Sequence, residues 1–404
     1  MNIIETFGSF SGLKLNRNKT EGIWIGALKN SVDKIEGIRW TDKPVKALGI
    51  YFGHDKLQCE KLNWEPKIDN MKSLIKTWEK RKLTMVGKIL IIKSLILPKF
   101  TFLATSCKVP DSYLKEIESC CFKYIWEGKN DKVKRNTLIG EYQKGGLRMI
   151  DFDSYFTALK ASWVSKLTTT NMPNWKIIPT KYFNNLGKNF LVFNMNLDNI
   201  KSIDGLAKIP DFYLQVISSW VKTGGGLSTF SNHFSNIRKQ IIWGNKYIKC
   251  RNKCLFFPSW VKSGLVYIND IFDREGNLSE SFILKKLINK TNWIAEFKML
   301  KSCIPKEWMQ VLKKENSVKS IINICKVKLR WQNKQIETKD INNKILYKTL
   351  VDKKYIKPIG INIWTRYLKL EYIPQMSFVY DFIFKILKEN KLKIFRWKLL
   401  QYII

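Results

Sequence analysis

The chain has 404 residues, 45% hydrophobic and 13% aromatic, with 15 tryptophans. Such a composition excludes a disordered tail and allows two or three domains around a sizeable core. Lys and Arg number 71 against 34 Asp and Glu, a formal charge of +37; that surplus repels itself unless an anion covers it, which points to nucleic acid or another acidic surface, although abundant Asn and Ile show that a lysine-rich coding bias contributes.

Residues 1–53 read as α+β. A tight Gly turn leads into Leu13 and Leu15 alternating with Lys14 and Asn16, the pattern of a strand with one buried face. Ile23, Trp24 and Ile25 continue it. Val45–Phe52 reads as a second strand, where Gly49 predicts a bulge or the close approach of another backbone.

From Trp64 to Trp126 the period is helical. Ile68, Met71, Leu74, Ile75 and Trp78 recur at steps of three and four. A second helix is predicted behind Thr84 as N-cap, with Val86, Ile89, Leu90, Leu95 and Ile96 apolar, ending at Pro98. Pro110 opens a third, carrying Leu114, Ile117, Cys121, Tyr124 and Ile125. Three helices after a small sheet suit an element that closes over a duplex.

Residues 127–153 read as a basic loop, followed by one helix from Ser154 through Trp163 to Leu167. Beyond about 170, Pro173, Pro179, Gly187 and Gly224-Gly225-Gly226 punctuate short segments. Strands are expected at Gly264–Ile268 and Ser317–Leu329, and helices at Ser281–Leu287, Trp293–Ser302 and Asn342–Val351. Phe378–Ile404 is apolar, aromatic and basic. No internal repeat is evident. Apolar runs such as Ile89–Ile92 and Leu95–Leu97 fall short of the roughly 20 residues a membrane helix needs, so no membrane partner is expected. No signal peptide is expected either. Eight cysteines, at 59, 107, 120, 121, 250, 254, 303 and 325, follow no framework; reduced thiols and an intracellular, nuclear or cytoplasmic location are expected.

Five elements in order carry a family resemblance. Phe7-Gly-Ser-Phe-Ser-Gly-Leu-Lys-Leu-Asn-Arg-Asn-Lys-Thr-Glu21 is followed by Val45-Lys-Ala-Leu-Gly-Ile-Tyr-Phe-Gly53. Next come Trp78-Glu-Lys-Arg-Lys-Leu-Thr-Met-Val-Gly-Lys88 with Leu97-Pro-Lys99, then Tyr124-Ile-Trp-Glu-Gly-Lys129, then Lys144-Gly-Gly-Leu-Arg-Met-Ile-Asp151 with Ala158, Leu159 and Trp163. This series resembles the last palm motif, primer-grip hairpin and thumb of reverse transcriptases from LINE-type (non-LTR) retrotransposons, over roughly residues 7–167. Lys344–Val351 and Lys393–Leu400 look like later segments of the same family. The resemblance implies an α+β fold with a palm-remnant sheet at 1–60, a helical thumb at 61–127, a basic loop and helix at 128–170, and a linker region at 171–404 ahead of a Cys/His zinc element. It also implies that the aspartate-bearing catalytic strand lies upstream of this chain, since no Tyr-x-Asp-Asp occurs in it.

By that resemblance Lys19, with Lys14 as second choice, is placed to protonate leaving pyrophosphate in an intact enzyme, a task for a proton donor within hydrogen-bond reach. Gly49 would let the primer backbone approach. Lys76, Arg81, Lys82, Lys88 and Lys93 on the thumb, and Lys129, Lys134, Arg135, Lys144 and Arg148 in the loop, would contact phosphates of RNA, DNA or an RNA–DNA duplex. Lys14 joins them. Trp78, Trp126 and Trp163 sit in helical stripes and read as core. Mg²⁺ is implied for the intact polymerase, because two carboxylates must hold metal against the 3′-hydroxyl; none is expected here. Asp151 and Asp153 read as a helix N-cap, and Cys250 and Cys254 as independent thiols lacking a second pair. His54 and His233 have no companion set. Partners beyond nucleic acid would be the catalytic and endonuclease portions. Two other classes stay open: a host-retained binding protein without polymerase activity, and a non-functional relic whose apolar face at Leu13, Leu15, Leu48 and Ile50 lies partly uncovered.

Overall fold

A computed structural model describes residues 2–32, 34, 37–169, 171–195, 197, 206, 209–226, 233–273, 275–287, 292–314, 327–331, 334–372 and 375–403. The fold is α+β: 62% helical with small two-stranded sheets. The chain divides into two compact units, residues 1–103 with 110–131, and residues 104–109 with 132–404. The expected sheet and three-helix element thus share one unit apart from residues 104–109, and the later break falls inside the predicted basic loop.

In the first unit, α1 (Asn2–Ser11) takes the place of the predicted Gly turn, and Gly12, at φ +71°, ends it by donating to Gly8 O. Leu13 to Asn16 form no strand. Asn16 instead accepts from Lys19 N–H and closes a 3₁₀ turn over Arg17–Lys19. A local side-chain acceptor outcompetes a ladder that has no neighbouring strand. β1 (Glu21–Gly22) pairs in parallel with β2 (Arg39–Trp40). β3 (Val45–Ala47) and β4 (Ile50–Phe52) form an antiparallel hairpin. Gly49 is therefore not within a strand: Leu48 at φ +49° and Gly49 at φ +83° form its two-residue turn, since such turns need positive φ to match strand twist.

Asn63 ties this hairpin to α2 (Lys56–Glu79): its side-chain amide donates to Tyr51 O and accepts from Tyr51 N–H, at 3.0 and 2.8 Å. Asp55 caps α2 through Leu57 and Gln58 N–H. Trp64, Ile68, Met71 and Ile75 are buried along one face of α2, each contributing about 1.5–3 kcal/mol by removal from water. Trp64 lies between Phe100 and Tyr113.

Thr84 caps α3 (Met85–Ile91) as expected, but Pro98 does not stop the helix. A π turn over Ile92–Ile96, in which Leu97 N–H bonds Ile92 O, leads into α4 (Leu97–Ser106). The wider turn resets the register, so Pro98 falls in a first turn where its missing N–H is not required. The joined helix, Met85–Ser106, is long and apolar enough to cross a membrane, contrary to the sequence expectation, but 44% of its most apolar window is buried. Ile89, Ile92, Ile96, Phe100 and Leu103 are at most 4% exposed, as in a core helix. α5 (Asp111–Ile125) follows Pro110. The apolar face expected to be uncovered is split: Leu13 and Leu48 are exposed, Leu15 is half-buried and Ile50 is buried.

The second unit holds α6 (Arg135–Ile139), then α7 (Phe152–Ala161) and α8 (Trp163–Thr168), separated at Ser162 where one helix was expected. α9 (Ile177–Phe183), α10 (Asp211–Thr223) and α11 (Phe234–Arg238) precede a hairpin of β5 (Lys249–Cys250) and β6 (Lys253–Cys254). α12 (Pro258–Lys262) and α13 (Ile268–Ile271) flank the stretch where Gly264–Ile268 was expected as strand; an isolated bridge, Ile241 to Tyr267, forms there instead. α14 (Glu280–Leu287), α15 (Trp293–Cys303) and α16 (Lys306–Lys314) are followed by β7 (Lys328–Trp331) paired with β8 (Lys334–Glu337). Most of the strand expected over Ser317–Leu329, with Cys325, lies outside the described residues. α17 (Asn343–Lys354), α18 (Ile359–Tyr367), α19 (Met376–Ile386) and α20 (Asn390–Leu400) complete the unit. α7 packs on α10 and α17, over a core running from Ala158 to Leu350.

Candidate nucleic-acid interface

Three buried cations show what the fold does with part of its positive charge. Lys160 donates to Thr105 O and Cys107 O at 3.1 and 3.0 Å, with its ammonium over the Phe212 ring. Burial pushes this amine down to about 8. Lys176 donates to Thr169 O, Thr169 Oγ1 and Asn171 O, and burial lowers it too. Arg238 bonds Asn269 Oδ1 and Asp273 O. Each buried cation is satisfied by oxygens of its own unit, most of them backbone carbonyls.

Lys88 belongs with them, which removes it from the expected phosphate contacts. It is 4% exposed, 2.7 Å from Glu127 and over the Tyr124 ring. α5 ends in a Schellman motif: Gly128 N–H bonds Lys123 O and Glu127 N–H bonds Tyr124 O. Glu127, without a glycine's freedom, takes φ +56°; the ion pair to Lys88 holds it there. This contact brings the α2–α3 turn and the loop after α5 to one end of the helical unit.

That end carries Arg81, Lys82 and Lys129, all exposed, with exposed Lys76 one turn back on α2. Arg81 packs on Trp78, its guanidinium 4.7 Å from the ring centroid, which limits its rotamers at little cost in exposure. Lys82, at φ +43°, forms the turn itself. Lys93 is half-buried on the π turn. Lys14 and Lys19 are exposed near the N-terminal 3₁₀ turn, where Lys14 and Arg17 border a cavity of about 380 Å³. Gly49 sits at the hairpin tip, and a Cβ there would meet nothing within 4 Å; the turn's φ, not crowding by the chain, asks for glycine.

In the second unit the expected cations divide into an exposed pair and a paired one. Lys134 and Arg135 are exposed at the start of α6. Lys144 pairs with Asp352 at 2.9 Å and lies over Tyr355; Arg148 pairs with Glu141 at 2.9 Å and lies over Tyr142. The Lys144-Gly145-Gly146 element is a docking point for the C-terminal helices. Trp397 Nε1 and Gln401 Nε2 both donate to Gly145 O, at 2.9 and 3.0 Å. A Cβ on Gly145, at φ +81°, would meet Tyr380 at 2.7 Å and Pro358 at 2.8 Å. Tyr142 stacks on Phe384 at 4.2 Å.

Asp151 stands at the N-cap position of α7 but makes no side-chain bond to the helix backbone. Its Oδ2 accepts from Ser154 Oγ at 2.6 Å and from Lys354 Nζ at 2.8 Å, and Lys354 also reaches Asp153 at 2.8 Å. Burial alone would lower Lys354; the two carboxylates outweigh it and raise its pKa. One ammonium thus bridges both carboxylates within the unit. Cys250 and Cys254 fall on opposite faces of their hairpin, because Cys254 opposes Lys249 rather than Cys250. Among the described residues no group of three His, Cys, Asp or Glu could hold a metal.

Asn63, Glu127, Lys354 and Lys160 were not singled out in the sequence. Asn63 had a signal, a polar residue next to Trp64 in an apolar stripe; the others act through partners far along the chain. No family model matches the sequence.

Proposed function

We propose that this chain is the nucleic-acid-handling portion of a non-LTR retrotransposon reverse transcriptase, gripping a primer end and clamping an RNA–DNA duplex without catalysing polymerisation by itself. One observation carries the reading. Lys76, Arg81, Lys82 and Lys129 gather at one end of the three-helix unit and stay exposed, while Lys88 is spent on building that end. Exposed cations on a rigid frame suit phosphate contacts, which set register without reading sequence. The ordered motifs and the +37 charge support the same class. The hairpin tip at Gly49, held to α2 by Asn63, supplies an open backbone for a primer strand. Purified protein should bind a blunt RNA–DNA hybrid with steep salt dependence and incorporate no nucleotide in a primer-extension assay with Mg²⁺. Salt-independent binding, or extension of the primer, would overturn the reading.

A further inference from the structure

The connection between the 3₁₀ turn and the β3–β4 hairpin folds over an open cavity of about 850 Å³, bordered by residues from Trp24 to Asp55. Two tryptophans line it. Trp24 and Trp40 stack with ring centroids 4.8 Å apart and planes 23° apart. Gly22 leaves room for this stack: a Cβ there would stand 2.9 Å from the Trp40 ring. Two rings in one stack make a flat platform, not the box of crossed faces that encloses a quaternary ammonium. A flat platform accepts a third flat ring. Lys29 and Lys34, both exposed, supply positive charge on the lining. Of the two carboxylates among the described lining residues, Asp55 is occupied by the α2 cap, accepting from Leu57 and Gln58 N–H. Asp42 is exposed on the cavity wall, where a carboxylate can accept from an exocyclic amine.

We infer that this cavity takes an unpaired nucleotide, its base stacked on the Trp24–Trp40 platform and its phosphate beside Lys29 or Lys34. The inference rests on the nucleic-acid reading above and adds a single-strand subsite to it. Unpaired bases stack on aromatic side chains with little sequence preference, because every base has a π-face. The subsite would therefore hold a single-stranded overhang adjoining a duplex rather than the duplex itself.

The test uses the full chain and two fluorescent RNA–DNA hybrids, one blunt and one with a six-nucleotide uridine overhang, with the single-stranded uridine oligonucleotide as a third probe. The overhang should tighten binding about tenfold. Trp24→Ala should remove that gain and weaken the single strand equally while leaving the blunt hybrid unchanged, and Trp24→Phe should restore most of it. In the wild-type protein, a 5-iodouracil in the overhang should photocrosslink to a peptide holding Trp24 or Trp40, a readout that does not depend on any variant folding. An overhang without effect, a gain that survives Trp24→Ala, or crosslinks confined to other peptides would overturn the subsite. Failure of the blunt hybrid alone to bind, with the single strand still held through Trp24, would count against the duplex clamp and not against the subsite.

Discussion

The two basic clusters of the chain look alike in sequence and differ in structure. Around Lys76, Arg81, Lys82 and Lys129 the fold spends one cation, Lys88, to hold Glu127, and leaves the other four exposed. Around Lys144 and Arg148 each cation faces a carboxylate and an aromatic ring of its own unit. Cation density therefore does not define an interface; what decides is whether the fold has already satisfied the charge. An ammonium already paired at 2.9 Å must break that contact to meet a phosphate, whereas one facing water loses only hydration.

Substitution at both clusters separates the two. Replacing Arg81, Lys82 and Lys129 together by Ala should weaken hybrid binding on the order of 100-fold at low salt, by loss of three phosphate contacts. Replacing Lys144 and Arg148 by Ala should change it less than about threefold, since surface pairs of this kind are worth about 0–1 kcal/mol and are already internal. The same hybrid in an anisotropy titration reads both.

The Gly145-Gly146 element holds the fold of the second unit instead. Gly146→Ala would drive a Cβ into Gly140 O, and Gly145→Ala into Tyr380 and Pro358. Each should destabilise the second unit by about 2–3 kcal/mol, by strain and loss of packing, visible as a lower denaturation midpoint and faster proteolysis ahead of α18–α20. Hybrid affinity at saturating folded protein should stay put.

A third prediction uses Lys160. Its folded-state pKa, about 8, lies below the free value of 10.5. Between those pH values the folded protein binds fewer protons than the unfolded chain, so this site's contribution to stability rises with pH across that window, at most by about 1.4 kcal/mol per pH unit. Below about pH 8 both states are protonated and the contribution is flat. Denaturation from pH 7.5 to 10 should show the rise in wild type and a reduced slope in Lys160→Met.

The smallest effect is expected at Glu127. Glu127→Gly relieves a left-handed residue, worth about 1 kcal/mol, and removes an ion pair whose acid is 69% exposed. The two nearly offset, so the midpoint should move little, whereas Lys88→Ala, which also deletes buried stem packing, should lower it by about 1–2 kcal/mol.

The sequence made the helical unit legible because its signals are local. Three- and four-residue spacing on α2, the Thr84 cap and Pro110 each act within one turn of helix and stand in the structure; the stripe expected behind Thr84 holds only in part, since Leu90 is 63% and Leu95 37% exposed. Pro98 misled because its cost is cancelled by a π turn six to two residues before it, which no pattern of apolar residues announces. The Leu13–Asn16 strand misled because alternation describes a face, not a neighbour to pair with. The Lys144-Gly145-Gly146 element was legible as special but not as to its use: its partners, Asp352, Tyr380 and Trp397, lie more than 200 residues away. The candidate interface was legible as a set of cations; their sorting into exposed and spent required the fold.

The most direct measurement is the slope of log affinity against log salt for the blunt RNA–DNA hybrid, taken for the wild-type chain and for the Arg81, Lys82 and Lys129 triple variant. Four exposed cations on the bundle end predict a slope of about −4 for wild type and a flattening by about 3 in the variant. A wild-type slope near zero, or an unchanged slope in the variant, would contradict the assignment of this end of the helical unit as the duplex-binding surface.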